Sequence, residues 1–158
     1  MTSDSLTFEE LSAERAQPLR TRVLRPHFEE GRLNTYPNDE APGTVHFGLL
    51  DEDDEAVAVV TFVSEACPEK PDEEAIRLRG MAVAEQWRGK GVGARLLESS
   101  MMRLAVRYPR ADIIWCNARL SAQGFYERYG FESIGEPFPS DPIGPHIVMW
   151  REMPKAVV

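Results

Sequence analysis

Six consecutive residues hold the densest chemistry in this 158-residue chain: Arg88-Gly89-Lys90-Gly91-Val92-Gly93. Glycines at 89, 91 and 93 leave the backbone bare, so N–H groups can converge on phosphate oxygens. Arg88 and Lys90 bring full positive charge to the same turn. The run ahead, Ala75 to Val83, reads as a strand, and the run behind, Ala94 to Met102, as a helix. A strand, a bare turn and a helix start with unpartnered N–H groups together make an anion site. The expected ligand is a phosphorylated small molecule; the bland alternative is a turn that merely caps a helix. The spacing fits neither the nucleoside-triphosphatase loop nor the dinucleotide Gly-x-Gly-x-x-Gly turn.

The elements that must position this turn follow from pattern. Ser5 to Leu11 reads as an edge strand. Ala13 to Leu24 reads as a helix interrupted near Pro18 and ended before Pro26. Arg25 to Pro42 is polar and irregular, with room for a short helix. Thr44 to Leu50 and Ala56 to Ala66 are strands joined by the acidic turn Asp51-Glu52-Asp53-Asp54-Glu55, a hairpin pattern. Val57 to Val63 is almost continuously apolar, which predicts a central strand. Ile76 to Val83 is the next strand. Ala94, Leu97, Met101, Leu104 and Ala105 recur at helical spacing in a helix that ends at Pro109. Asp112 to Asn117 closes a βαβ unit, so its strand should run parallel to the one before the turn. Ser121 is placed to cap a short helix that stops at Gly130. Strands near Phe131 to Gly135 and His146 to Arg151 flank a proline-rich loop. The expected whole is one domain over 1–158, without repeat or linker.

Charge and composition narrow the function. The formal net charge is -8, which argues against nucleic acid or an anionic membrane as partner. Acidic residues cluster at 51–55 and around Glu69 to Glu74; they read as solvated turns, or as a rim that attracts a cationic amine. No apolar run approaches a membrane span. The start, Met1-Thr2-Ser3-Asp4-Ser5, lacks the basic and apolar regions of a secretory signal. Cys67 and Cys116 match no metal or redox spacing. A reduced, cytoplasmic protein without a metal is expected.

With Gln86 and Arg88 leading in, the turn reads Arg-x-x-Gly-x-Gly. This resembles the coenzyme A pyrophosphate loop of the GNAT acetyltransferase superfamily. Met81-Ala82-Val83 resembles that family's strand end, and Phe125-Tyr126-Glu127-Arg128-Tyr129-Gly130-Phe131 its second signature. Val23-Leu24-Arg25-Pro26, Trp115-Cys116-Asn117-Ala118-Arg119 and Ile143-Gly144-Pro145-His146-Ile147-Val148-Met149 further resemble the ElaA-like branch. The resemblance covers essentially the whole chain and implies an α+β fold. Its sheet is mixed and mostly antiparallel, flanked by helices, with one parallel strand pair splayed apart to admit the pantetheine arm.

The resemblance also implies roles. The co-substrate would be acetyl-CoA, and the acceptor a small-molecule amine. Met81, Ala82 and Val83 would meet the pantetheine; Arg88, Gly89, Lys90, Gly91, Val92, Gly93 and Ala94 would hold the pyrophosphate. Asn117 stands near the usual asparagine position, although Arg119 occupies it. Tyr126 would protonate the leaving thiolate and also touch the cofactor; the alternative is a packed core aromatic. Phe125 and Phe131 read as core. Many relatives carry a carboxylate base where this chain has Arg77. His146 is the candidate base, or a structural histidine; His27 is a weaker one, and His46 reads as a satisfied core or surface residue. Arg77 and Arg79 alternate with Ile76 and Leu78 and share a face, exposed to solvent or turned to an anionic group on the acceptor. Arg25 and Arg119 join them as substrate-binding candidates. A non-catalytic acyl-CoA-binding module, a protein or peptide acceptor and a homodimer stay open.

Overall fold

The structure, a computed structural model, describes residues 2–140 and 142–155. Met1 and position 141 of the proline-rich loop lie outside them. Strand β1 is Thr7–Leu11; Ser3–Ser5 form a 3-10 turn, so the strand begins later than Ser5. Helix α1, Ala13–Leu24, is capped by Ser12, whose Oγ accepts from the Arg15 N–H at 3.2 Å. Pro18 does not interrupt it, contrary to the sequence reading. Pro18 and Glu14, whose carbonyl loses its partner, both lie on the exposed face, where water can take the lost bond.

Strands β2 (Thr44–Leu50) and β3 (Ala56–Ser64) form the expected antiparallel hairpin. Its acidic turn is built from its own groups: Asp51 Oδ1 accepts from the N–H of Asp53 at 2.9 Å and of Glu55 at 3.0 Å. Every residue from Val57 to Val63 is buried, which matches its central place. β4 (Ala75–Val83), α2 (Val92–Arg107) and β5 (Ile113–Arg119) make the predicted parallel βαβ unit. Helix α3 (Gln123–Arg128) and strands β6 (Glu132–Phe138) and β7 (His146–Glu152) complete the described elements.

The sheet order is β1-β2-β3-β4-β5-β7-β6, and only the β4–β5 pair is parallel. Helix α1 packs on β3 and β4, and α2 on β2 and β3. The core between them centres on Phe47, Phe62, Leu49, Leu96, Leu97 and Leu104.

Ser121 does not cap α3. It lies inside a 3-10 turn, Leu120–Ala122, and Ala122 takes the cap position without a side-chain bond. The far end matches expectation. Gly130 N–H donates to the Glu127 carbonyl at 3.2 Å and Phe131 N–H to the Tyr126 carbonyl at 3.1 Å. The Tyr126 and Phe131 rings close this Schellman motif at 5.3 Å, which fixes Tyr126 against the sheet.

Candidate active site

The site begins where two strands part. β4 and β5 pair only at Ala75 with Ile113, Ile76 with Ile114 and Arg77 with Trp115. Beyond Arg77, β4 continues to Val83 bonded to β3 alone, and β5 continues to Arg119 bonded to β7. The backbone edge of Leu78 to Val83 therefore faces a gap instead of a ladder, and its polar groups there need another partner. At the bottom of the gap, Val60 of β3 faces both Gly80 and Met81, a β-bulge. Gly80 has φ +64°, and a Cβ there would come within 2.9 Å of Arg20 Nε and 3.1 Å of the Tyr36 ring. Only glycine fits this corner.

The glycine turn lies at the open end of the gap. Gly91 is the N-cap of α2 with φ +75° and no side-chain cap. A Cβ at Gly89 or Gly91 would meet nothing within 4 Å, so left-handed backbone and open space, not packing, call for glycine there. Gly93 differs: its Cβ would sit 3.4 Å from Phe125, a close helix approach. Among the described residues, none of the backbone N–H groups from Gly89 to Ala94 donates to another backbone group. Arg88 and Lys90 are exposed beside them. This is an unfilled row of donors with positive charge at hand. α2 begins at Val92 rather than Ala94, and Arg95 N–H donates to the Gly91 carbonyl at 3.0 Å, so the row ends at Ala94.

Behind the turn the gap widens into a cavity of about 300 Å³. Of the site residues read from sequence, it brings together Arg25, Arg77, Arg79, Met81, Asn117, Arg119, Tyr126 and His146. Ala82 is buried in the core, and Val83 packs toward Gly93. His27 is exposed and outside the cavity. His46 is a satisfied core residue, bonded to Thr61 Oγ1 at 2.7 Å and the Asp39 carbonyl at 2.8 Å. A larger concavity of about 560 Å³ lies by the paired end of β4, lined by Glu65, Glu73, Glu74 and Arg107 among others, and holds none of these candidates.

Tyr126 is buried, and its Oη donates only to the Met81 thioether, 3.8 Å away. Sulfur is a weak acceptor, so this donor is underused. Burial, with a smaller contribution from Cys116, pushes the phenol well above its ordinary pKa and keeps it protonated. Burial likewise pushes the Cys116 thiol up to about 12, so it is no thiolate nucleophile at neutral pH. His146 Nδ1 lies 2.9 Å from the Gly144 carbonyl. A carbonyl only accepts, so Nδ1 carries the proton and the Nε2 lone pair is left to accept one. The ring stacks on Phe138 at 5.9 Å.

Arg77 Nη1 pairs with Glu65 Oε2 at 2.9 Å. Arg79 stacks on Tyr36, Cζ 3.6 Å from the ring centroid. The Leu24 carbonyl, at the end of α1, accepts from Arg25 Nη1 at 2.9 Å and from Arg119 Nη2 at 3.0 Å. Burial first, then the neighbouring charge of Arg77 for Arg79 and of Arg25 for Arg119, lowers the pKa of both below that of an ordinary arginine. Sequence reasoning missed Leu24, Tyr36, Phe138 and Ile143 as cavity walls. Tyr36 carried one usable signal, an aromatic within an otherwise polar irregular stretch.

Known proteins share this fold. A family model described as the acetyltransferase (GNAT) domain matches residues 43–133. The uncharacterized N-acetyltransferase YitI of Bacillus subtilis (strain 168) is 34% identical over 148 residues, covering 94% of this chain and 97% of its own. The crystal structure of Escherichia coli ElaA superposes with a TM-score of 0.75 at 22% identity, covering 93% of this chain and 99% of that one. An acyl-CoA N-acyltransferase from Pseudomonas aeruginosa gives the same TM-score of 0.75 at 21% identity, over 93% and 99%. The chain belongs to the GNAT acetyltransferase family, and is an acyltransferase. Among its described residues no helix is long and apolar enough to cross a membrane.

Proposed function

We propose that this protein transfers the acetyl group of acetyl-CoA to the primary amine of a small molecule, in the cytoplasm. One observation carries the reading: the β4–β5 gap lies between an unfilled donor row at Gly89 to Ala94 and a half-open cavity lined by Tyr126. The donor row holds the pyrophosphate, and the free edge of Met81 to Val83 takes the pantetheine amides. That places the thioester beside Met81 and Tyr126. Acetyl-CoA supplies the activated acyl group. His146 Nε2 removes the proton from the acceptor's ammonium, and the neutral amine attacks the thioester carbon. The C–S bond breaks, the nitrogen's surplus proton goes to the departing thiolate, and the Tyr126 hydroxyl turns from the Met81 sulfur to hydrogen-bond that sulfur as it leaves. Burial makes the phenol a reluctant acid, so its contribution is a hydrogen bond to developing charge more than full proton transfer. The two buried thiols, Cys67 and Cys116, suit a reducing compartment.

The finer placement in the ElaA branch is supported by where its three segments fall. Leu24 and Arg25, Cys116 to Arg119, and Ile143 with His146 all wall the cavity. Calorimetry with acetyl-CoA, together with thiol release over an amine panel, tests the whole reading. Wild type binds and turns over. Gly91→Glu, which sets bulk and negative charge in the donor row, folds but does not bind. Tyr126→Phe keeps the affinity and loses about two decades of kcat. Unchanged acetyl-CoA affinity in Gly91→Glu removes the loop from the site; full activity in Tyr126→Phe removes the phenol from the mechanism.

A further inference from the structure

The cavity's charge pattern says more than its shape. Four arginines line it, Arg25, Arg77, Arg79 and Arg119, and among its described lining residues there is no Asp or Glu. The chain carries 26 acidic residues against 18 basic, so this is the reverse of its average surface. One of the four, Arg77, is neutralised by Glu65. Neutral groups orient the other three: the Tyr36 ring holds Arg79, and the Leu24 carbonyl holds Arg25 and Arg119. Arg79 Nε is buried and has no hydrogen-bond partner. Guanidiniums fixed in place, partly desolvated and left without counter-charge present convergent donors to an oxyanion. They repel a polycation.

Position adds a length. Arg119 on β5 lies directly opposite His146 on β7. Side chains so paired start only about 4.5–5.5 Å apart at Cβ. A group held by Arg119 is therefore a few bonds from an amine that gives its proton to His146. The cavity, about 300 Å³, has room for an acceptor of amino-acid size.

We infer that the acetyl acceptor is a small amine bearing an oxyanion, carboxylate or phosphate monoester, a few bonds from its nitrogen. Arg79 and Arg119, seconded by Arg25, form its clamp. This rests on the acetyltransferase reading and names the substrate class for it. The test is calorimetry in the presence of unreactive coenzyme A. One arm pairs α- and ω-amino acids with their carboxamides, and the other pairs phosphoethanolamine with ethanolamine. At least one acid binds saturably, and its neutral partner binds about ten- to a hundredfold more weakly, the scale of a lost charged hydrogen bond. Arg79→Gln and Arg119→Gln each weaken the acid to the level of its amide and leave coenzyme A affinity unchanged, which also shows that they fold. The responding arm identifies carboxylate or phosphate. Acids and neutral partners that bind alike, no acid that saturates, or acid affinity that survives both substitutions overturns the inference. The wild-type acid-against-amide comparison decides it even where a variant fails to fold. Failure of wild type to bind coenzyme A instead overturns the transferase reading, and the same titrations without coenzyme A then judge the clamp.

Discussion

Tyr36 meets two guanidiniums that differ in almost everything but the ring they share. Arg20 Cζ is 4.2 Å from the ring centroid, and Arg79 Cζ is 3.6 Å away. Arg20 is fully buried, and both its terminal nitrogens are engaged, although its Nε, like that of Arg79, has no hydrogen-bond partner. Its Nη1 and Nη2 reach the two Asp39 oxygens at 2.8 and 3.1 Å, with further bonds to the Asn34 carbonyl at 3.1 Å and Thr61 Oγ1 at 2.6 Å. The Thr61 hydroxyl donates to His46 Nδ1, and His46 Nε2–H donates to the Asp39 carbonyl. The loop closes on itself and ties α1, the segment around Asn34 to Asp39, β2 and β3 together. Arg79 has the ring and no carboxylate. A buried charge with its counter-ion is architecture; a charge held in place without one is a receptor. One aromatic side chain orients both, so the support of the fold and the chemistry of the cleft are a single packing problem.

The largest effect expected of this contrast is in stability. Asp39→Ala leaves Arg20 buried with no carboxylate, which should cost about 3–5 kcal/mol. Arg79→Ala forfeits one ring contact, worth about 0.5–1 kcal/mol, and relieves repulsion from Arg77. Urea denaturation of the two variants reads the difference directly. Comparable losses would show that Arg79 is structural as well, and would break the comparison.

Acidification sharpens it from another side. Burial alone would raise the Asp39 pKa, but hydrogen bonds from Arg20, the Tyr36 N–H and Gln17, together with the Arg20 charge, bring it below the ordinary carboxylate value. A carboxyl depressed in the folded state contributes stability that is complete above its unfolded pKa, about 3.9. That contribution is lost as pH falls from there through the folded value. Asp39→Asn should therefore be the less stable protein at neutral pH, with a flatter acid limb. Denaturation midpoints from neutral pH down to about 3 check this. Parallel profiles for the two proteins would mean that the ion pair adds nothing.

Gly80→Ala should rank next, because it strikes both regions together. The new Cβ must take φ +64° and meet Arg20 Nε at 2.9 Å. Strained backbone of this kind costs about 1–3 kcal/mol. The same shift displaces Tyr36, so acceptor affinity should fall along with stability. A variant as stable as wild type would show that the bulge can relax.

What the sequence made legible follows chain distance. The glycine turn at 88–93 is contiguous, so residue type and spacing were enough to expect its bare backbone ahead of a helix. The strand–turn–helix–strand order around it made the parallel pair predictable, and Tyr126 came with its neighbours at 125–131. The Arg79 corner was half legible: alternation placed Arg77 and Arg79 on one face, and a glycine inside a strand is a recognised mark of a bulge. The other wall was not legible. Asp39 finds Arg20, and Tyr36 finds Arg79, across irregular chain that has no period to read. Pro18 and Ser121 misled for a related reason. Both were judged by local habit, while solvent excused the proline and a 3-10 turn took the place of the serine cap.

The smallest expected effect separates orientation from charge. Tyr36→Leu keeps every ionisable group of the network and removes only the shared ring. Stability should fall by about 0.5–2 kcal/mol, the range for ring contacts from exposed to desolvated cations. On the Arg79 side the charge remains and its placement is lost, so acceptor KM should rise several-fold while acetyl-CoA KM stays level. Tyr36→Phe retains both ring faces. Its lost polar contacts are weak: Asn34 Nδ2 to Tyr36 Oη, at 3.5 Å, is at the limit of hydrogen-bond length, and the hydroxyl's effect on Arg79 is smaller than that of burial, so this variant should stay close to wild type in both respects. A Leu variant that loses stability with its acceptor KM unmoved would show that Arg79 is placed by something other than the ring. A Phe variant as impaired as Leu would move the role from the ring to the hydroxyl. Only the Leu loss together with the Phe rescue supports one ring serving both arginines.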